Sequence, residues 1–259
     1  MHMLPDTQSE RDHRGVAIAR AGISRLRYPV QILRPDGTTF STAGTASMTV
    51  SVPAAQKGTH MSRFIECLHK TAGEINPASL LRLAKTMRTK LKASSARVDL
   101  ALPWFIEKKA PITGGAAFMD YEVTWQAISG ARSTAFTTTV KVPVGTLCPC
   151  SKAISDRGAH NQRGYVTLTL ETVPPLWPDV LIGMVESSAS TELFTLLKRP
   201  DEKFVTERAY DAPVFVEDLA RAVAVQVRAL KGLRRARIEA ENFESIHSHN
   251  AIAVVELGR

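Results

Sequence analysis

The sequence predicts an α+β protein made of two ββααββ units, each with a four-stranded antiparallel sheet and two helices on one face. Turn signals separate pairs of β-rich runs, and each half has two segments with helical apolar spacing between its strand pairs. The same order of elements then repeats on either side of Gly130. We therefore expect a flexible N-terminal lead at 1–14, a first module at 15–130 and a second module at 131–259.

The first module begins with a predicted hairpin around the turn signal Pro35-Asp36-Gly37. Asn76 and Pro77 form a helix start, with a capping side chain followed by proline at the first helical position. Its predicted elements are strands over 15–33 and 38–52, helices over 61–71 and 77–93, and strands over 96–106 and 117–128.

The second module repeats this order, with Pro213 near the start of its last helix and Gly232 after the end. The charged segment 198–210 is predicted to be a loop. The other predicted elements are strands over 131–144 and 163–173, helices over 179–197 and 214–230, and strands over 234–245 and 251–257. Because such sheets leave unpaired edges, closure into a barrel of several subunits is a natural arrangement.

Composition limits the classes of protein that fit. With 259 residues, 44% of them hydrophobic, the chain can bury a sizeable core. It has no apolar run of 18 residues, and residues 1–14 lack the apolar segment of a signal peptide, so we expect no membrane association. Only Cys67, Cys148 and Cys150 are cysteines, which favours a reduced, cytoplasmic setting. The net charge of +8 favours an anionic partner, either nucleic acid or a polyphosphate.

The stretch 143–164, PVGTLCPCSKAISDRGAHNQRG, has the residue types of a chemical site on a loop between two strands. Cys148 and Cys150 flank a proline, and His160 follows ten residues after the second cysteine. Thiolate and imidazole are common ligands of borderline divalent metals. There is no second C-x-x-C, so this is not a zinc ribbon. Spacing alone leaves metal binding or catalysis open against a buried cysteine with a surface histidine.

Other chemically capable side chains follow in the second module. His247 and His249 are two residues apart, so on an extended segment they point to the same side. Glu244 precedes them, and Glu202 lies in the charged segment. Glu217 lies in the first turns of the last predicted helix, where the helix dipole favours a carboxylate or where it faces a cleft and accepts hydrogen bonds from an N–H pair.

The sequence has enough candidate ligands for a catalytic metal, which needs three protein ligands and an open position. Cys148, His160 and one carboxylate would meet that requirement, and the bound water would then be acidified. The sequence contains neither of the common Gly-rich phosphate-binding motifs, which argues against a P-loop NTPase or a Rossmann enzyme.

The motifs CPCSK, AHNQR and ESIHSHNA together resemble GTP cyclohydrolase I of the type IB class, and the resemblance runs from about Gly15 to the end. It implies tandem tunnelling-fold modules, in agreement with the two ββααββ units. It also implies a hydrolase acting on cyclic amidine C–N bonds, which converts GTP and water to formate and 7,8-dihydroneopterin triphosphate, the first step toward folate in bacteria. Family members are homotetramers with active sites between subunits, which implies GTP and further copies of the chain as the partners here, without nucleic acid.

The resemblance also assigns roles, residue by residue. It implies that Cys148, His160 and Glu202 hold one divalent metal, which would be Mn, Fe or Zn. It implies that Glu217 anchors the edge of guanine, and that Glu244, His247 and His249 line the site and handle protons. Cys150 is placed with the catalytic residues, in contact with substrate or in proton transfer. The expected basic rim for the triphosphate comes from Lys152, Arg157, Arg163, Lys198, Arg199, Lys203 and the helix carrying Arg82 to Lys92.

Two other functions compete with this interpretation. Nitrile reductases of the queuosine pathway share the fold and use a cysteine nucleophile with NADPH and no catalytic metal; the Cys148–His160 loop and the HSH segment argue against that class. A non-enzymatic basic protein that binds RNA or DNA would explain the charge of +8. It would need an aromatic stacking surface or a known binding motif, and the sequence has neither.

Overall fold

The computed structural model describes residues 6–258, and Met1–Pro5 and Arg259 lie outside it. In chain order its elements are β1 (Ile18–Leu33), β2 (Thr39–Val52), α1 (Met61–Thr71), α2 (Pro77–Lys90), β3 (Ala96–Lys109), β4 (Ala116–Ser129), β5 (Thr134–Leu147), α3 (Pro149–Ile154), β6 (Asn161–Thr172), α4 (Pro178–Glu186), β7 (Thr191–Glu192), α5 (Arg199–Asp211), α6 (Val216–Arg228), β8 (Leu233–Asn242) and β9 (Ala251–Gly258). The predicted α+β class is confirmed. The first half has the predicted order of strands and helices, and the second half repeats it with α3, β7 and α5 in addition.

The chain forms two compact units. One contains the chain up to Leu102 together with Thr124–Thr137, and the other contains Pro103–Val123 and the chain from Thr138 onward. The long strands β3 and β4 therefore each contribute residues to both units. The predicted module boundary at residue 130 rests on the repeat of elements rather than on contacts, and it stays a prediction.

In the first unit β1 pairs with β2 and β2 with β3 in an antiparallel sheet, and α1 packs against β1 and α2. Met48, Phe64, Leu80 and Leu100, from two strands and two helices, are fully buried and form part of its core. The predicted start of α2 is also present, because Ser79 N donates to Asn76 Oδ1 at 2.8 Å. That bond satisfies one of the backbone N–H groups that a helix start leaves without a partner.

The predicted flexible lead lies partly outside the described residues. From Thr7 to Ser9 the backbone forms a 3₁₀ turn, and Arg11 pairs with Gln56 through an isolated β-bridge. The Lys57 amine lies 2.7 Å from a Glu10 carboxylate oxygen. Residues 10 and 11 thus contact the segment that follows β2.

The second unit contains the antiparallel order β5-β6-β8-β9, with the two-residue strand β7 paired to β5. α6 packs against β8 and β9, and it buries one stripe of apolar side chains that includes Leu219, Val223 and Val227. The spacing of this stripe is the helical pattern that predicted α6. No helix within residues 6–258 is long and apolar enough to cross a membrane.

The prediction of one helix over 179–197 is wrong, because α4 ends at Glu186. Two serine hydroxyls, on Ser187 and Ser188, donate to the carbonyl oxygen of Met184 at 3.1 and 2.9 Å. Gln226 Nε2 donates to the same oxygen at 3.0 Å. Side-chain donors thus replace the next helical N–H donors, and the chain leaves the helix to form β7.

The prediction of a loop over 198–210 is also wrong, because this segment forms α5. Only Asp201 and Ala209 of this helix are buried, so its sequence shows no apolar stripe from which a helix would be recognised. The helix start is made by a tertiary arrangement around Asp201, whose side chain is fully buried.

Asp201 accepts four hydrogen bonds, three from the loop between β3 and β4 and one from the start of its own helix α5. Its Oδ1 accepts from Ile112 N at 2.8 Å and Thr113 N at 2.9 Å, and its Oδ2 accepts from Thr113 Oγ1 at 2.6 Å and Lys198 N at 2.9 Å. Burial raises the pKa of Asp201, but these hydrogen bonds outweigh it and hold the pKa far below its ordinary value.

We expect Asp201→Asn to lower the midpoint of thermal unfolding by several degrees at pH 7. The new amide nitrogen would face N–H donors, and their hydrogen bonds would be lost. Since the folded-state pKa is depressed, the carboxylate contributes its stability above the unfolded pKa of about 4, and that contribution is lost as the pH falls toward the folded value. The difference in unfolding midpoint between wild type and Asp201→Asn should therefore narrow below about pH 4.

Thermal unfolding of wild type and variant across a pH series checks this. Asp211→Asn is the matched control, because Asp211 is an exposed carboxylate at the opposite end of α5. Equal midpoints for wild type and Asp201→Asn at pH 7 would show that the four hydrogen bonds do not stabilise the fold.

Candidate active site

The motif stretch contains a short helix rather than only a loop, and this corrects the prediction. Cys148 caps α3, Pro149 occupies the first helical position, and Ser151 N points at Cys148 Sγ at 3.5 Å. The side chain of Cys148 is half-buried, whereas Cys150 is exposed on α3. The helix start thus sets the direction of the first thiol.

His160 lies beside Cys148 because the backbone returns to the start of α3. Cys148 N donates to the carbonyl oxygen of His160 at 3.1 Å, and His160 N donates to Ser151 Oγ at 3.2 Å. Gly158 permits the return, since its φ of +91° is a left-handed conformation that other residues adopt only with strain. The backbone thereby brings together two residues that are twelve positions apart in the sequence.

The His160 ring is held by a chain of polar side chains. Its Nδ1 lies 3.0 Å from Gln162 Oε1, and Gln162 Nε2 donates to Thr146 Oγ1 at 3.0 Å. Thr146 is buried, and Ser245 Oγ lies 3.4 Å from the same Nδ1. The ring is therefore oriented by groups on β5 and β6 and by the turn after β8.

The turn between β8 and β9 carries the two other histidines. Strand β8 ends at Asn242, short of the predicted end at residue 245, and 243–250 form an irregular turn. The rings of His247 and His249 stack with centroids 5.1 Å apart and planes at 21°. The predicted placement of both rings on one side is present, although the backbone there is not a strand.

Glu217 lies in the first turn of α6, as predicted. The segment before this helix is tied to the motif stretch, because Val214 N donates to the carbonyl oxygen of Leu147 at 3.0 Å. The Glu217 side chain is exposed, and within residues 6–258 it has no ion-pair partner. Its carboxylate is therefore available to a ligand.

These elements meet around one cleft of about 280 Å³. Seven of the predicted site residues line it, from α3, the start of β6, α6 and the turn after β8. Its walls are made by Cys148, Cys150, His160, Gln162, Val214, Phe215, Val216, Glu217, Asn242, Glu244, His247, His249 and Ala251. A thiol, imidazoles and carboxylates in one cleft can bind a cation, accept hydrogen bonds from a base, and transfer protons.

Glu202 does not line this cleft. It is exposed in the first turn of α5, whereas the other end of that helix contacts α3, where the Lys152 amine donates to the carbonyl oxygen of Tyr210. Eight residues of helix separate Glu202 from Tyr210, a rise of about 12 Å. Within the described chain no three His, Cys, Asp or Glu side chains are close enough together to hold a metal ion. The ligand set Cys148, His160 and Glu202 stays a prediction.

Two polar residues of the cleft, Gln162 and Asn242, were not among the predicted site residues. Gln162 could have been predicted from the sequence, because it lies two residues after His160 at the start of a strand and therefore on the same side of the strand as His160. Asn242 gave no signal beyond its place in a strand. Its side chain is 3% exposed, and its Oδ1 has no hydrogen-bond partner in the part of the chain that the structure describes.

Comparison with known proteins identifies the family. The family model described as type I GTP cyclohydrolase FolE2 matches residues 4–253. This chain belongs to that family. GTP cyclohydrolase FolE2 of Bordetella petrii is 48% identical over 255 residues, covering 98% of this chain and 96% of that protein. The FolE2 protein of Akkermansia muciniphila is 47% identical over 259 residues, covering 99% of this chain and 98% of that protein. The FolE2 protein of Fervidobacterium nodosum is 43% identical over 251 residues, covering 97% of this chain and 96% of that protein.

Solved structures agree on the fold of this FolE2 family member. Uricase from Arthrobacter globiformis superposes with a TM-score of 0.55 at 9% identity, covering 93% of each chain. A uricase from Bacillus fastidious has a TM-score of 0.55 at 8% identity, covering 95% of this chain and 94% of that one. These are tunnelling-fold proteins, so the predicted fold is confirmed. At such identities the likeness concerns the fold alone.

Proposed function

We propose that this chain is a GTP cyclohydrolase I, which converts GTP and water to formate and 7,8-dihydroneopterin triphosphate at the start of folate synthesis. The observation that carries the proposal is the gathering of Cys148, His160, Glu217 and Glu244 around one cleft in a chain of the FolE2 family. The family match also favours this reaction over the NADPH-dependent nitrile reductase.

Recognition of guanine falls to Glu217. Guanine presents two neighbouring donors, its ring N1–H and its 2-amino group, and a carboxylate can accept both at once. Glu217 lies at the cleft wall without an ion-pair partner among the described residues, and the start of α6 favours its negative charge. This pairing would orient the imidazole ring of the base toward the other side chains of the cleft.

Proton transfer falls to Glu244, His247 and His249. Opening the imidazole ring of guanine, releasing formate and closing a new ring each require protons to be added and removed. Imidazole is the side chain whose charge ordinarily changes near neutral pH, and two imidazoles here lie stacked at the cleft. Glu244 lines the same cleft, and we assign it the exchange of a proton with a neighbouring group. Cys150, exposed at the start of α3, is assigned to substrate contact or to proton transfer.

Cys148 and His160 provide donors that fit a borderline divalent ion such as Mn, Fe or Zn. Such an ion would supply the acidity that makes water a nucleophile at neutral pH. A single chain provides only these two of the three proposed ligands, because Glu202 lies outside the cleft. We infer that Glu202 reaches the site from a second copy of the chain.

This inference requires an oligomer, and we propose a homotetramer with active sites between subunits. β9 pairs only with β8 among the described strands, and its Ile252 and Val254 are exposed. Unpaired edges with apolar side chains favour association. The molar mass in solution measured by light scattering tests the tetramer, and a monomeric active enzyme would contradict it.

We also propose a cytoplasmic location, with which three free cysteines are compatible.

The first experiment is to measure formate release from GTP by metal-stripped protein, with Mn, Fe or Zn restored singly. We expect no formate without metal and release with at least one of the three. Formate released equally well by the stripped protein would overturn the metal requirement. No formate with any metal, in a folded oligomer, would overturn the cyclohydrolase and lead to an assay with NADPH and a 7-cyano-deazaguanine.

A further inference from the structure

We propose that Gln162 is a positioning residue that fixes the tautomer of His160, with the proton on Nδ1 and the lone pair of Nε2 presented to the cleft. The proposal deepens the function proposed above, since it states which ring nitrogen of His160 serves that site. Gln162 is neither a metal ligand nor a catalytic group. It acts through the imidazole.

The orientation of the Gln162 amide is set by two neighbours. Its Nε2 donates to Thr146 Oγ1 at 3.0 Å, which leaves Oε1 facing His160 Nδ1 at 3.0 Å. Gln162 is half-buried, and Thr146 is 1% exposed. In this orientation the amide is held at both ends. Because the Thr146 hydroxyl can donate as well as accept, the reversed amide would put Nε2 against Nδ1 and require the ring proton on Nε2, and that tautomer is the opposing outcome of the NMR measurement.

An amide oxygen can only accept a hydrogen bond, so the Nδ1 that faces it must carry the proton. A neutral imidazole has one N–H, and Nε2 is then left with its lone pair. Within residues 6–258 Nε2 of His160 has no hydrogen-bond partner, although the ring lines the cleft. A lone pair in that position can bind a divalent cation or accept a proton.

The two side chains that hold the His160 ring in this arrangement lie on strands of the sheet rather than on a loop. Thr146 and Gln162 are directly paired residues of β5 and β6, and the next pair joins Leu147 to Asn161. His160 lies just before β6, where the backbone alone would not fix its ring. Two side chains on paired strands hold a functional group more rigidly than loop residues do. Outer partners of this kind typically change metal affinity by about 10–100-fold.

The tautomer can be measured directly by NMR of the full-length protein labelled with ¹⁵N in its histidine rings, without metal or GTP. The His160→Ala variant identifies the signals of this ring. We expect wild type to show a protonated Nδ1 and an unprotonated Nε2. Gln162→Leu should lose that preference, and Gln162→Glu should keep it because a carboxylate also accepts from Nδ1–H. A proton on Nε2 in wild type, or an unchanged tautomer in Gln162→Leu, would overturn the proposal.

Affinity for Zn²⁺ or Mn²⁺, measured by competition with a chelator, gives a second readout. We expect Gln162→Leu to bind about 10–100-fold more weakly and Gln162→Glu to stay near wild type. Gln31→Leu is the matched control, since Gln31 Nε2 also donates to a threonine across paired strands, at 3.2 Å, in the other unit. An equal loss in Gln162→Leu and Gln162→Glu would overturn positioning through Nδ1. Absence of formate release by wild type would count against the cyclohydrolase and would leave the tautomer result standing.

Discussion

Cys148→Ala is expected to abolish formate release from GTP and to reduce the metal bound per chain. The thiol caps α3 beside His160, so its loss would remove one of the two donors that a single chain places in the cleft. Groups that act only through a ligand typically cost about 10–100-fold, and loss of a ligand itself should exceed that range. Formate assays and metal analysis of the purified variant provide the test.

The control for this variant is Cys67→Ala, which removes a buried thiol of α1 far along the chain from the motif. It should retain formate release and bound metal. His160→Ala should lose metal together with activity, as Cys148→Ala does. Near-normal formate release by Cys148→Ala would remove Cys148 from the ligand set and leave Cys150 as the thiol to examine.

Glu217→Ala is expected to keep its metal and to lose affinity for GTP. Truncating one partner of a hydrogen-bonded charged contact typically costs about 2–5 kcal/mol, which corresponds to a rise in KM of about 30-fold to several thousandfold. The metal should be unaffected, because Glu217 is not among the proposed ligands. Steady-state kinetics with GTP and metal analysis separate the two effects.

The role of Glu217 can also be tested from the side of the substrate. Inosine triphosphate lacks the 2-amino group of guanine, so wild type should discriminate against it and Glu217→Ala should discriminate much less. Asp218→Asn is the matched control, because Asp218 lies in the same helical turn, pairs with Arg221 at 3.0 Å and does not line the cleft. Normal GTP binding by Glu217→Ala would show that another group anchors the base.

Several elements could be predicted closely because their signals are local. α1 has the predicted bounds, since an apolar stripe and a following glycine mark its extent in the chain itself. The hairpin of β1 and β2 was marked by its turn residues, and the start of α2 by Asn76 and Pro77. Each of these features depends on residues within one or two turns of one another.

The errors arose where distant residues decide the local structure. α5 looks like a charged loop because only two of its residues are buried, and its start is held by Asp201 contacting residues about 90 positions earlier. α4 ends early because Gln226, about 40 residues later, donates to its last turn. Neither partner can be located from periodicity, which reports only how a segment meets an apolar surface.

For the site, the sequence by itself determined which side chains are chemically capable, because the cysteine, histidine and glutamate motifs are short and rich in ligand types. Only the tertiary structure decided that seven of them share one cleft, that Gln162 orients His160, and that Glu202 lies elsewhere in a single chain. The physical reason is that chemical capacity belongs to a residue, whereas position comes from strand pairing, helix direction and backbone turns over long separations. Glu202 shows this most plainly, because about 12 Å of helix separates it from the end of α5 that contacts Lys152 of α3.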